Sequence, residues 1–204
     1  MILYLILPYF DRHIDFDDDS VICGIDSGSI FALKNNIKLD YALGDFDSIS
    51  DDELNLLLST DAKILKLKPE KDETDTEYAI KYFSDYQKIV ICGGIKGKRI
   101  DHLIANINLL KKYKNLYIFD NDSLITNICN FNDVSNENYY YVSFFLEENS
   151  TLSLEGFKYN LDNYKFNKFD NLCISNEIIA DPFVKYEGNG IVIFSKLDNI
   201  NLQK

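Results

Sequence analysis

Residues 41–54, YALGDFDSISDDEL, hold a strand, a polar loop and a helix start in that order. Tyr41-Ala42-Leu43 is a short apolar run that reads as a buried strand. Ser50 and Glu53 stand at the spacing of a capping box, in which the serine hydroxyl caps the helix and the glutamate reaches back to the chain entering it. Leu54, Leu57 and Leu58 then supply an apolar stripe. Strand, loop and helix in succession form the repeat from which a parallel sheet covered by helices is built.

The alternation continues on both sides. Apolar runs at 2–7, 21–25, 64–67, 89–92 and 116–119 read as further strands. A helix is expected over 74–86, with Tyr78, Ala79, Tyr82 and Phe83 on one face. Another is expected over 100–113, gathering Leu103, Ile107 and Leu110 and ending in Lys111-Lys112, which suits a helix C-terminus. Beyond residue 120 the helical period disappears. Runs at 139–146, 151–154, 172–175, 183–186 and 191–195, separated by Asn, Asp and Gly, read as short antiparallel strands. The expected fold class is therefore α/β. An N-terminal open, mostly parallel α/β domain spans 1–125, and a C-terminal antiparallel β-sandwich spans 126–204.

The 204 residues, 46% of them apolar, suffice for one large or two small cores. A formal net charge of −12 argues against nucleic acid or an anionic membrane as the main partner. Cys23, Cys92, Cys129 and Cys173 form no CxxC and sit in or beside apolar runs, so buried reduced thiols and a cytoplasmic location are expected. The opening MILYLILPYF is too short to span a bilayer and reads as a first buried strand.

Three polar strings carry the chemistry, and each follows an apolar run, at the sheet edge where open α/β folds bind ligands. In GDFDS (44–48), Asp45 and Asp47 are an i, i+2 pair that extended backbone would aim to one side, with Phe46 turned into the core. Two such carboxylates repel unless a cation lies between them; a capped turn is the plainer alternative. In KDETD (71–75), Asp72, Thr74 and Asp75 precede a helix, where capping accounts for at least one of them. In GGIKGKRIDH (93–102), Gly93, Gly94 and Gly97 allow close backbone approach to an anion. Lys96, Lys98 and Arg99 supply charge there, and Asp101 and His102 open the helix. The order is neither a Walker A loop nor GxGxxG. Asp26-Ser27-Gly28, after the second run, makes a fourth loop at the same edge. Carboxylates for a hard cation beside a basic glycine loop are the parts that a magnesium–nucleotide complex requires.

GDFDS, the DxxTD string and GGxxGxRxDH, in this order, resemble the thiamine pyrophosphokinase family. In the second half, Gly156-Phe157-Lys158-Tyr159-Asn160-Leu161 and Ser175-Asn176-Glu177 resemble two further segments of that family. The resemblance implies a homodimer of nucleotide and sandwich domains, with the active site at the subunit interface. It implies transfer of a pyrophosphoryl group from ATP to the hydroxyl of thiamine, giving thiamine diphosphate and AMP. By motif position Asp45, Asp47 and Asp75 would hold Mg2+ and, with Arg99, form the catalytic set. Asp26, Asp72, Thr74, Gly94, Lys96, Gly97, Arg99, Asp101 and His102 would bind the nucleotide, and Ser175 and Asn176 would contact thiamine. Two positions depart from the family pattern: Ile30 stands where an Asn is usual, and Lys98 replaces a glycine before Arg99. Rival readings are a pyrophosphokinase for another alcohol, such as a hydroxymethylpterin, a non-catalytic thiamine- or nucleotide-binding module, and a structural interaction domain.

Overall fold

The computed structural model describes residues 1–10, 16–97, 99–120, 122–134 and 139–196. The chain forms two compact units, Met1–Leu109 with Asn115–Asn121, and Leu110–Lys114 with Asp122–Lys204. The passage between them falls slightly before residue 125, because residues 123–127 already form a strand of the second unit. Among the described residues no helix is long and apolar enough to cross a membrane.

In the first unit the strands are β1 (Ile2–Ile6), β2 (Val21–Ile25), β3 (Tyr41–Gly44), β4 (Lys63–Lys66), β5 (Lys88–Cys92) and β6 (Leu116–Phe119). Every adjacent pair is parallel, in the order β6-β5-β1-β2-β3-β4. Leu3, Leu5, Ile6, Ile91, Leu116 and Ile118 are fully buried, the continuous burial expected of a parallel sheet covered on both faces. The edge strand β4 instead exposes Lys63 and Lys66, charges that discourage pairing with another chain.

The helices are α1 (Ser27–Lys34), α2 (Asp51–Leu58), α3 (Asp75–Tyr82) and α4 (Ile100–Lys112). The capping box of α2 is formed as expected, with Ser50 and Glu53 each accepting from the other's backbone N–H. Its stripe is narrower than the pattern suggests: Leu57 is buried and Leu58 is exposed. Helix α3 stops at Tyr82, short of residue 86, and Tyr82 is exposed, because the chain leaves helical geometry at Phe83. Helix α1 has no counterpart among the expected helices. It is short and carries no clean amphipathic stripe, since Gly28, Ser29, Ile30 and Ala32 are all buried. A Cβ at Gly28 would lie 2.1 Å from the Ile6 carbonyl oxygen, so only glycine lets α1 approach β1 this closely. Ile30, at the family's Asn position, is a core residue here.

The strand order reverses beside β1, which has β2 on one side and β5 on the other. Loops leaving β1 and β5 therefore diverge, and a crevice opens at the carboxyl ends of these strands.

In the second unit β7 (Ser123–Asn127) leads into a short 3-10 helix, Ile128–Asp133. Then follow β8 (Tyr141–Leu146), β9 (Thr151–Phe157), β10 (Leu161–Lys165), β11 (Asn176–Glu187) and β12 (Gly190–Ser195). All pairs are antiparallel, in the order β10-β9-β11-β8-β12-β7. Strand β11 pairs with β8 through Asn176 and Glu177, shifts register between Ile178 and Phe183, and then pairs with β9. Phe131 packs 5.9 Å from Phe144, 6.3 Å from Phe157 and 5.6 Å from Phe194, which centres the core on aromatic rings. Strands β7 and β10 are additions to the expected set. Residues 172–175, expected as a strand, form the turn into β11, where Ser175 has φ 56°. Cys23, Cys92 and Cys173 are buried free thiols, but Cys129 is exposed because it lies on the 3-10 turn instead of in a strand.

Candidate active site

The first unit carries a cavity of about 420 Å³ at the strand-order reversal. Leu7, Pro8 and Tyr9 line it from the end of β1, and Gly94, Lys96 and Gly97 from the end of β5. Asp26, Ser48, Thr74 and Asp75 face it from one flank, Arg99 and His102 from the other.

Asp26 ends β2 with φ 48° and ψ −126°, a conformation that costs a non-glycine residue about 1–3 kcal/mol. Two contacts hold it there: its N–H donates to the Leu43 carbonyl at 2.8 Å, and Ser48 Oγ donates to its Oδ2 at 2.6 Å. Its Oδ1 is closed to solvent and has no hydrogen-bond partner among the described residues. Oxygens from the Asp26, Asp45 and Asp47 carboxylates all lie within 4.8 Å of one another.

Asp45 and Asp47 do not converge by extended backbone. Phe46 has φ 61°, a left-handed turn residue, and its ring is buried. The turn lets the Asp47 N–H donate to Asp45 Oδ1 at 3.2 Å. Crowding raises the Asp47 pKa, chiefly through the Asp45 charge, then through desolvation, with Asp26 and Asp75 adding to it.

Within KDETD the roles divide. Thr74 is the cap of α3, its Oγ1 accepting from the Glu77 N–H at 3.1 Å. Asp75 is the first helical residue and lies 2.7 Å from Lys71 Nζ. It is not part of the Asp26, Asp45, Asp47 triad. Asp72 is exposed and does not line the cavity.

On the basic flank the Arg99 guanidinium is folded onto Asp101. Nε lies 3.0 and 3.2 Å from its two carboxylate oxygens and Nη2 lies 2.7 Å from Oδ2. That hydrogen bond lowers the Asp101 pKa to about 2 and raises that of Arg99. Both side chains are largely exposed, so water and salt keep the pair weak and easily opened. His102 Nε2 stands 4.0 Å from Asp101 Oδ2. Lys98 lies outside the described residues.

Asn106 and Ser48 are not among the residues to which the sequence points. Asn106 is 4% exposed and lines the cavity. Gly94, at φ 78°, makes room for it: a Cβ there would sit 2.9 Å from Asn106 Nδ2 and 2.8 Å from Leu7 Cδ1. The available signal was spacing, since Asn106 lies one helical turn after His102 on α4.

In the second unit the two remaining strings meet in space. Asn176 is 2% exposed. Its Oδ1 accepts from the Tyr159 N–H at 3.1 Å and the Glu177 N–H at 3.0 Å, while its Nδ2 donates to the Tyr159 carbonyl at 2.8 Å. Lys158 and Glu177 pair at 2.6 Å beside it. Ser175 is exposed, and its N–H donates to Ser143 Oγ at 2.9 Å. Asn176 thus fixes the β9–β10 turn against the start of β11 and leaves one amide hydrogen uncommitted.

A parallel sheet that gathers carboxylates and a basic glycine loop around one crevice defines an α/β protein built to face a charged ligand. The chain belongs to the thiamin pyrophosphokinase family: residues 15–119 match the description "Thiamin pyrophosphokinase, catalytic domain" and residues 132–187 match "Thiamin pyrophosphokinase, vitamin B1 binding domain". It is 33% identical over 186 residues to the thiamine pyrophosphokinase of Bacillus subtilis (strain 168), covering 87% of each chain. The crystal structure of the Bacillus subtilis thiamine pyrophosphokinase superimposes with a TM-score of 0.80 at 28% identity, over 96% of this chain and 98% of that one. That of the thiamin pyrophosphokinase from Geobacillus thermodenitrificans gives 0.77 at 28% identity, over 98% and 99%.

Proposed function

We propose that this chain is an ATP-dependent thiamine diphosphokinase, a transferase that moves the pyrophosphoryl group of ATP to the hydroxyl of thiamine and releases AMP. The observation that carries the reading is the convergence of Asp26, Asp45 and Asp47 beside a cavity lined by Lys96 and Arg99.

The acidic flank fits Mg2+. Opposite oxygen ligands of a hard divalent ion are about 4–5 Å apart, the scale of the triad, and the buried Asp26 Oδ1 lacks any other partner. Asp45 and Asp47 would hold the ion, with Asp26 or Asp75 completing the set. When bound, it neutralises charge on the phosphate oxygens. The remaining work belongs to the chain. Gly94 and Gly97 let backbone N–H groups approach the phosphates, and Thr74 flanks them, while Asp72 stays outside the cavity. Arg99 leaves Asp101 to grip phosphate oxygens bidentately, with Lys96 adding charge. The thiamine hydroxyl oxygen attacks the β-phosphorus in line, the bond from that phosphorus to the bridging oxygen of AMP breaks, and AMP departs with that oxygen. The hydroxyl proton passes to His102 or a neighbouring carboxylate. Positioning and charge stabilisation supply most of the acceleration.

The second unit, read as a bent β-sandwich, supplies thiamine contacts through Ser175 and the free amide hydrogen of Asn176. The working form is a cytoplasmic homodimer in which a second copy completes each site.

The test is incubation of the purified protein with thiamine, ATP and Mg2+, followed by chromatography. AMP and thiamine diphosphate should appear in equal amounts, and a hydroxymethylpterin in place of thiamine should yield no AMP. Turnover of the pterin alone, or thiamine binding without AMP, contradicts the assignment.

A further inference from the structure

One cation already sits on the acidic flank. Lys71 Nζ lies 2.7 Å from Asp75 Oδ1, with side chains 18% and 20% exposed. Asp75 Oδ1 is closed to solvent, and its contact with Lys71 is one of distance and charge without hydrogen-bond angles. Asp26, Asp45 and Asp47 have no lysine or arginine at ion-pair distance among the described residues, so Lys71, through Asp75, is the one ammonium paired with any of these four carboxylates there. Asp75 lines the same cavity as Asp26, and its charge reaches Asp47.

We propose that Lys71 is a resident counter-ion. Its ammonium occupies Asp75 while no divalent ion is bound, competes with that ion for the carboxylate, and turns toward the nucleotide phosphates once displaced. The inference rests on the metal reading above and assigns Lys71 a regulatory part in it. Lysine suits the part: its ammonium is a point charge on a flexible stem, with three donors and no planar fork to lock it to one carboxylate. Lys71 Nζ also donates to the Lys68 carbonyl at 3.4 Å, a neutral acceptor that does not depend on Asp75. Removing the ammonium leaves Asp75 free and the cluster more negative, so metal alone should bind better and the metal–nucleotide complex worse. A lysine that merely scaffolds Asp75 gives the opposite sign for metal alone.

The experiment is Mn2+ binding to the nucleotide-free protein, followed by the loss of the free-ion paramagnetic resonance signal, for wild type, Lys71→Met, Lys71→Gln, Lys71→Arg and Asp47→Asn. Both neutral Lys71 variants should bind Mn2+ on the order of tenfold tighter than wild type, and Lys71→Arg should stay near wild type. The same neutral variants should bind a non-hydrolysable Mn2+–ATP analogue several-fold more weakly. Equal or weaker Mn2+ binding by the neutral variants, with binding lost in Asp47→Asn, overturns the counter-ion role and leaves the metal reading standing. No Mn2+ uptake by the wild-type protein overturns both.

Discussion

The two flanks of the cavity are built in opposite ways. The acidic flank is held in place: Asp26 is strained and pinned by Leu43 and Ser48, Phe46 is buried at a left-handed turn, and Thr74 caps α3. The basic flank is paired with itself: Arg99 is exposed and closed on Asp101. The difference shows where the cost of binding falls. On the proposed reading, carboxylates that repel one another need a rigid frame before a cation arrives, whereas an arginine that is to grip and release phosphate is better stored against an exposed partner that water can replace.

Breaking the acidic flank should cost most. Asp47→Ala should lower kcat by roughly a thousandfold, since charge neutralisation by a bound ion is worth several kcal/mol, with an unchanged circular dichroism spectrum. Arg99→Ala should lower kcat/KM by about 10- to 100-fold, the worth of a charged hydrogen bond, and Arg99→Lys should recover only part of it because the fork is lost. Near-normal rates in either case would erase the contrast between the flanks.

The flanks should also differ in pH response. The raised Asp47 pKa means that the folded chain favours the protonated acid more than the unfolded chain does. Stability from this group is therefore full at low pH and declines as pH rises through the raised value. A divalent ion should relieve that loss: Mg2+ at ten times its Kd should raise Tm by roughly 3 °C at pH 7 and have no effect once the carboxylates are protonated. The Arg99–Asp101 pair, with Asp101 lowered to about 2, keeps its charges across the same range and should give no such swing. The smallest effect belongs to Ser50→Ala, which removes the α2 cap away from the cavity. It should lower stability by about 1 kcal/mol in urea unfolding while leaving kcat unchanged.

The sequence revealed what depends on periodicity and on short strings. All six parallel strands follow apolar runs, and the α2 capping box was visible as Ser50 and Glu53. Helix α1 was hidden because it is short and buried without a stripe, and its hallmark, Gly28 against the Ile6 carbonyl, is a tertiary contact. The acidic strings were legible as chemistry, but their partnership was not. Which carboxylate joins Asp45 and Asp47 depends on the strained backbone of Asp26 and on its distance from Ser48, twenty-two residues along the chain. Asn106 was invisible for a similar reason, since its place in the cavity wall depends on a tertiary contact with Gly94. In the second unit Asn176 could be singled out by resemblance, yet its grip on the Tyr159 backbone appears only when the two strings meet.

A manganese-soaked crystal, measured at the anomalous edge of the metal, tests the central claim most directly. One strong anomalous peak should appear, coordinated by Asp45 and Asp47, with Asp26 or Asp75 completing the set. A peak elsewhere, or none at saturating Mn2+, would contradict it.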